Sequence, residues 1–76
     1  RIEYAVALQR AARAALLTGD PRQAERWYDD ALRELALAQG RAPVGTDPAL
    51  IESLQDLRAT AERGLATARA AASTRN

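Results

Sequence analysis

Two Asp-Pro pairs, Asp20-Pro21 and Asp47-Pro48, constrain the fold of this chain more than any other feature. Proline lacks a backbone N–H, so helices accept it mainly in the first turn, where a preceding Asp caps free N–H groups. Each pair therefore predicts the start of a helix. Gly19 stands directly before the first pair and suits a helix end, because glycine readily adopts the left-handed conformation that closes many helices.

Apolar residues recur every three or four positions in each of the three segments that these signals separate. We predict helices over about residues 2–18, 21–39 and 48–72, with Gly40 ending the second, and a mobile loop over 40–46. The connection at Gly19-Asp20 is so short that the first two helices must be antiparallel neighbours. Each helix has one apolar stripe, and none can bury it alone. The prediction is an all-α fold, an antiparallel three-helix bundle made of a hairpin and a long third helix.

Core composition is unusual, because alanine supplies much of the 47% hydrophobic fraction and aromatic residues are only 4% of the chain. We therefore expect thin, closely spaced helices. Trp27 either fills this core or anchors a partner, and we favour the core. Gly64 inside the third helix costs about 1 kcal/mol relative to Ala, which predicts a close approach by another backbone there.

Missing residue types exclude several classes of function. With no His and no Cys, the chain has neither a Ser-His or Cys-His nucleophile pair nor the usual zinc ligands, and we expect no enzyme activity, metal or cofactor. A net charge of +1 gives no general attraction to nucleic acid or to an anionic membrane. No apolar run approaches the roughly 20 residues of a membrane span, and no signal-peptide pattern is present, so a cytoplasmic location is predicted.

The 76 residues suffice for a single domain, and the start at Arg1 rather than Met indicates a piece of a longer protein. Its acidic groups offer little chemistry. Glu52 and Asp56 stand one helical turn apart, and Glu25, Asp29 and Asp30 share part of the second helix. Such carboxylates can bind a hard cation, but i, i+4 ion pairs on a solvated face, Arg26 with Asp30 and Asp29 with Arg33, are the preferred interpretation.

The first two helices resemble a tetratricopeptide (TPR) repeat, a helix pair of about 34 residues. The likeness covers about residues 5–38. It rests on the following positions: Ala12, Gly19, Asp20, Ala24, Tyr28, Ala31 and Leu32. With the long third helix added, the chain also resembles the MIT domain, a three-helix module whose first two helices are TPR-like. Ala61-Glu62 matches a small-acidic pair of that family, whereas Thr60 stands where the family prefers Arg, and the Pro expected after a TPR helix pair is Ala36 here.

Both resemblances imply a protein–protein interaction module. MIT domains typically tether an ATPase, a protease or a trafficking factor to a partner peptide. On the third helix, one flank beside the apolar stripe combines an aliphatic residue with charged ones, which suits an amphipathic partner helix or a short linear peptide. The predicted partner-binding residues are Ile51, Arg58, Glu62 and Arg69.

Alternative interpretations remain open at this point. The flank can also be purely structural, with Ile51 buried at the rim of the core and the arginines beside it exposed to solvent. The first hypothesis for function is a non-catalytic module that binds a helical or extended peptide in an inter-helix groove. The second is a self-association element that dimerises a larger protein through the Ala-rich end of the third helix. Enzymatic activity or nucleic-acid binding would be a third, which the missing residue types and the charge balance oppose.

Overall fold

The computed structural model describes residues 2–74 and confirms the all-α three-helix fold. Helix α1 spans Ile2–Leu17, α2 spans Pro21–Arg41 and α3 spans Pro48–Thr74. Both Asp-Pro signals act as expected. The carboxylate of Asp20 accepts a hydrogen bond from the Gln23 amide at 3.2 Å, and that of Asp47 accepts one from the Ala49 amide at 3.0 Å. These bonds satisfy amides that have no partner within their own helix.

Helix α2 does not end at Gly40 but continues to Arg41. Nothing lies within 4 Å of a Cβ built at Gly40, so its backbone adopts helical geometry without any special contact. The helix ends because Pro43 follows Ala42, which has an extended conformation with ψ of 121°. Proline disfavours helical geometry in the residue before it. Gly19, in contrast, has a φ of 88° and ends α1 as expected.

The helices form a rod of 47 × 17 × 16 Å, in which α2 packs against both other helices and the α1–α3 contact is the smallest of the three. A hydrogen bond joins α1 to α3 midway along the rod, where Gln9 donates through Nε2 to the Leu57 carbonyl at 3.0 Å. Most of the buried core lies in two clusters of side chains, one on each side of this bond. They are called the turn-end cluster and the loop-end cluster, after the α1–α2 turn and the α2–α3 loop.

The turn-end cluster is rich in alanine and contains one aromatic ring. Its members are Ala12, Ala15, Ala24, Tyr28, Ala61, Leu65 and Ala68. The loop-end cluster is smaller and wholly aliphatic. Its members are Ala5, Leu35 and Leu54, with Ile2, Ala38 and Leu57 packed around them.

Tyr28, not Trp27, is the aromatic residue of the core. Tyr28 is 6% exposed, whereas Trp27 is half-buried and packs against the side of the turn-end cluster, over α1. The Tyr28 ring also explains Gly64, because a Cβ at that position would overlap the ring carbons Cζ, Cε1 and Cε2. The neighbour that Gly64 admits is thus a side chain of α2 rather than a backbone.

The apolar periodicity of the first segment begins at Tyr4 and that of the third at Leu50, and both residues are exposed. Tyr4 is 46% exposed and Leu50 is 42% exposed. Both lie in the first turn of their helix, where neighbouring helices cover less of the surface. The buried core is therefore shorter than the apolar stripes of the three helices.

Candidate functional site

The predicted flank of α3 lies beside α2. Arg58, near the middle of α3, donates through Nη1 to the Gln39 side-chain oxygen of α2 at 3.3 Å. Arg69, nearer the end, approaches Glu25 of α2 with an Nε–Oε1 distance of 3.5 Å. Two α2 residues that sequence analysis did not select therefore form the opposite bank. We call the surface between these banks the α2–α3 seam.

The four selected residues are spread along this seam rather than gathered at one point. Arg58 and Glu62 are joined by an ion pair of 3.1 Å. Ile51 lies two turns before Arg58 on the same face and is 39% exposed. Ile51 and Arg69 are separated by about 27 Å along the helix axis, at about 1.5 Å per residue. The seam thus has an apolar end at Ile51 and a charged end at Arg69.

The charged end of the seam is a shallow groove between the start of α2 and the end of α3. Arginine, carboxylate and small side chains line it: Arg22, Glu25, Arg26, Asp29, Arg69, Ala72 and Ser73. Sequence analysis had assigned Arg26 to an ion pair with Asp30, and this assignment is wrong. The predicted pair of Asp29 with Arg33 is confirmed at 2.9 Å, and Arg33 also contacts Asp30, at 3.5 Å.

Sequence reasoning also missed Arg22 and Arg26 as possible binding residues. Within residues 2–74 neither forms a hydrogen bond or an ion pair. One signal was present in the sequence, because two arginines at i, i+4 of a helix lie next to each other and repel. This arrangement is unfavourable unless an anion offsets it.

A second, less polar groove lies across the molecule, between α1 and α2. Alanine side chains and the half-buried indole form most of it, with polar groups at the turn: Ala11, Ala14, Ala15, Thr18, Asp20, Gln23 and Trp27. No unpaired charge lines this groove, since the Asp20 carboxylate already accepts the Gln23 amide hydrogen bond. This groove therefore offers fewer charged side chains for recognition of a partner than the α2–α3 seam does.

Three hydroxyl groups along α3 are bonded to the backbone of their own helix. Ser53, Thr60 and Thr67 each donate to the carbonyl four residues earlier, at 3.0 Å in every case. Such bonds hold a hydroxyl against the helix backbone. The arrangement gives these groups a structural explanation that needs no substrate.

Comparison with protein-family models, with curated proteins and with solved structures found no match for this chain. The TPR and MIT resemblances therefore remain hypotheses. In the part of the chain that the structure describes, no helix is both long enough and apolar enough to cross a bilayer.

Proposed function

We propose that this chain is a non-catalytic interaction module that binds a helical or extended partner peptide along the α2–α3 seam. The observation that carries the proposal is a row of charged side chains on α3, two of which contact α2, with an exposed aliphatic residue, Ile51, on the same face of α3 beyond them. Amphipathic peptides are recognised by surfaces of this kind, where an apolar anchor gives affinity and charges give orientation.

The ion pairs along the seam support a recognition role better than a stabilising one. Arg58 and Glu62 have side chains 53% and 58% exposed, and those of Arg69 and Glu25 are 62% and 38% exposed. Exposed pairs contribute about 0–1 kcal/mol to folding, so they can exchange partners at little cost. A peptide that supplies its own charges can thus replace these contacts without opening the bundle.

Membership of the MIT or TPR class and a cytoplasmic location are further parts of what we propose. An MIT-like or TPR-like module would act on behalf of a larger protein in the cytoplasm by holding that protein to its partner. The competing hypothesis is that the chain dimerises its parent protein. The α2–α3 seam favours a peptide ligand because its charged end is a groove between two adjacent helices.

The test is a titration of amphipathic peptides followed by amide chemical shifts of the whole chain. We expect the largest shifts on α3 from Ile51 to Arg69 and on the facing residues of α2, with smaller ones on α1. Shifts confined to α1, or to the α1–α2 groove at Trp27, would reject the site. Sedimentation of the free chain gives the independent check, since a dimer at micromolar concentration with no peptide effect would favour self-association.

A matched pair of variants locates the apolar anchor. Ile51→Ala removes an exposed aliphatic side chain at the seam, and Leu37→Ala removes one, 51% exposed, from α2. We expect only the first to weaken peptide binding, by about tenfold, in line with the cost of removing an apolar anchor. Equal effects of both substitutions would contradict the assignment of the seam.

A further inference from the structure

We propose that the charged end of the α2–α3 seam receives an acidic segment of the partner peptide, with Arg22 and Arg26 binding its carboxylates. This inference rests on the proposed function and specifies the chemistry and the direction of the ligand. Neither arginine belongs to the flank that the sequence singled out.

Among the residues that the structure describes, the fold leaves two positive charges of this groove without an ion-pair partner. The two acidic side chains of the groove are already engaged, Glu25 with Arg69 at 3.5 Å and Asp29 with Arg33 at 2.9 Å. Arg22 and Arg26 line the same groove and form no ion pair within residues 2–74. Two guanidinium groups thus remain available at the mouth of the groove.

Helix electrostatics make these two arginines unfavourable in the free protein. Helix α2 has no acidic residue in its first turn. The Asp20 carboxylate caps the start of the helix, but within the described part of the chain Arg22 and Arg26 have no ion-pair partner of their own, and they repel each other across one turn. A bound carboxylate offsets this repulsion and can accept charge-assisted, bidentate hydrogen bonds from a guanidinium group. Residues whose charges oppose folding in this way are expected at sites where a bound ligand compensates those charges.

Spacing limits what kind of acidic ligand fits. Side chains one helical turn apart are about 5–6 Å from each other, so Arg22 and Arg26 match two carboxylates at the same separation. Acidic residues at i, i+4 of a helical peptide, or at i, i+2 of an extended one, meet this requirement. A single isolated acid engages only one of the two arginines.

The other end of the seam fixes the direction of the peptide. Ile51 lies about 27 Å from Arg69, and its exposed aliphatic surface suits an apolar ligand residue. A bound peptide therefore has its acidic residues near Arg22 and Arg26 and its apolar residue near Ile51. The two features are separated by about 18 residues in a helical ligand or about eight in an extended one.

Acidic peptides fit this groove better than nucleic acid does. Glu25 and Asp29 line it together with the arginines, and Glu62 lies further along the seam. The phosphates of a nucleic acid would lie close to these carboxylates along the whole groove and would be repelled. The proposed peptide has negative charges at only two positions, those that face Arg22 and Arg26. The chain as a whole has a net charge of +1, too small to attract a polyanion from a distance.

The experiment uses three capped synthetic peptides of about 20 residues that share one leucine-containing end. The other end has two Glu residues at i, i+4, two Gln residues or two Lys residues. Affinity is measured by calorimetry and position by amide chemical shifts. We expect the Glu peptide to bind at least about tenfold more tightly than the Gln peptide, and this advantage to shrink between about 50 and 300 mM salt.

Charge-reversal variants assign the effect to the two arginines. The double variant Arg22→Glu with Arg26→Glu should weaken Glu-peptide binding at least about tenfold, whereas Arg10→Glu with Arg13→Glu on α1 gives the same change in net charge and little loss. The variant Arg22→Lys with Arg26→Lys should retain most of the binding. Far-UV circular dichroism checks that each variant is helical, and the exposed positions of these residues make loss of the fold unexpected.

The possible outcomes distinguish a failure of this inference from a failure of the proposed function. Equal binding of all three peptides along the seam overturns the acidic preference and leaves the interaction module standing. Absence of any peptide shift on the seam overturns both. Tighter binding of a single-stranded oligonucleotide than of the Glu peptide, lost in the Arg22→Glu, Arg26→Glu variant, assigns the arginines to nucleic acid and rejects the inference. If sedimentation shows that the chain dimerises and that the dimer no longer binds peptide at Arg22 and Arg26, these arginines contact a second copy of the chain. That result also rejects the inference.

Discussion

The two ends of the bundle bury their apolar stripes in different ways. At the turn end, small alanines surround one aromatic ring, and the Tyr28 ring lies directly against Gly64 of the facing helix. At the loop end, Leu35 and Leu54 meet with Ala5, and no aromatic residue takes part. The turn end therefore depends on a matched pair of shapes, whereas the loop end depends on the volume of two leucines. This difference predicts which substitutions each end tolerates.

The loop end should be the more sensitive to removal of a single aliphatic side chain. Leu35 is fully buried, so Leu35→Ala leaves a cavity and is expected to lower the free energy of unfolding by about 2–5 kcal/mol. Urea denaturation followed by circular dichroism measures the loss. The control is Leu37→Ala on the same helix, 51% exposed, with an expected change within about 0.5 kcal/mol. A loss of similar size in both variants would contradict the loop-end core.

The turn end should respond to an added methyl group. Gly64→Ala normally favours a helix by about 1 kcal/mol, but here the methyl overlaps the Tyr28 ring. Overpacking of this kind costs about 1–3 kcal/mol, so the variant is expected to be less stable than the parent. Gly40→Ala is the matched control, because its Cβ meets nothing within 4 Å and should stabilise the helix. Stabilisation by both substitutions would show that the ring does not lie on Gly64.

The hydrogen bond between the two clusters tests whether α1 and α3 are held in register. Gln9→Ala removes the donor to the Leu57 carbonyl and is expected to cost about 0.5–1.5 kcal/mol. Gln55→Ala, at an exposed α3 position, is the control and should have little effect. Equal stability of the two variants would mean that this contact adds nothing to the smallest interface of the bundle.

The smallest expected effect is at the surface of α2. Arg33→Ala removes contacts to Asp29 and Asp30, yet the Arg33 side chain is 71% exposed. Exposed pairs of this type contribute about 0.2–1 kcal/mol, and less at high salt. Thermal unfolding at two salt concentrations should show a small loss that fades as salt is added. A large, salt-independent loss would require a buried role for Arg33.

Local signals account for the part of the fold that was predicted correctly. Asp-Pro pairs and apolar periodicity act within one or two turns, so they are sufficient to give three helices and their antiparallel arrangement. The end of α2 was misjudged because Pro43, and not Gly40, stops the helix. The periodicity of α2 includes Tyr28, which is buried, whereas Trp27 flanks that stripe and was expected to fill the core because it is large. How deeply a flanking residue such as Trp27 is buried depends on the rotation of α2 against its neighbours, a property that no local pattern contains.

The candidate site was predictable to a similar depth. Periodicity was enough to group Ile51, Arg58, Glu62 and Arg69 on one flank, but their α2 neighbours depend on how the helices are aligned along the rod. Gln39 and Glu25 enter the seam only through that alignment. The same holds for Arg22 and Arg26, which are far from Arg69 in sequence and line one groove with it in the fold.

A spin label attached to the acidic end of the Glu peptide tests the central claim, recognition along the α2–α3 seam, most directly. Paramagnetic broadening of amide signals reports which residues lie near the label. We predict the strongest broadening around Arg22, Arg26 and Arg69, weaker broadening towards Ile51, and none on the outward face of α1. Broadening centred on α1 or on the Trp27 groove would contradict the account.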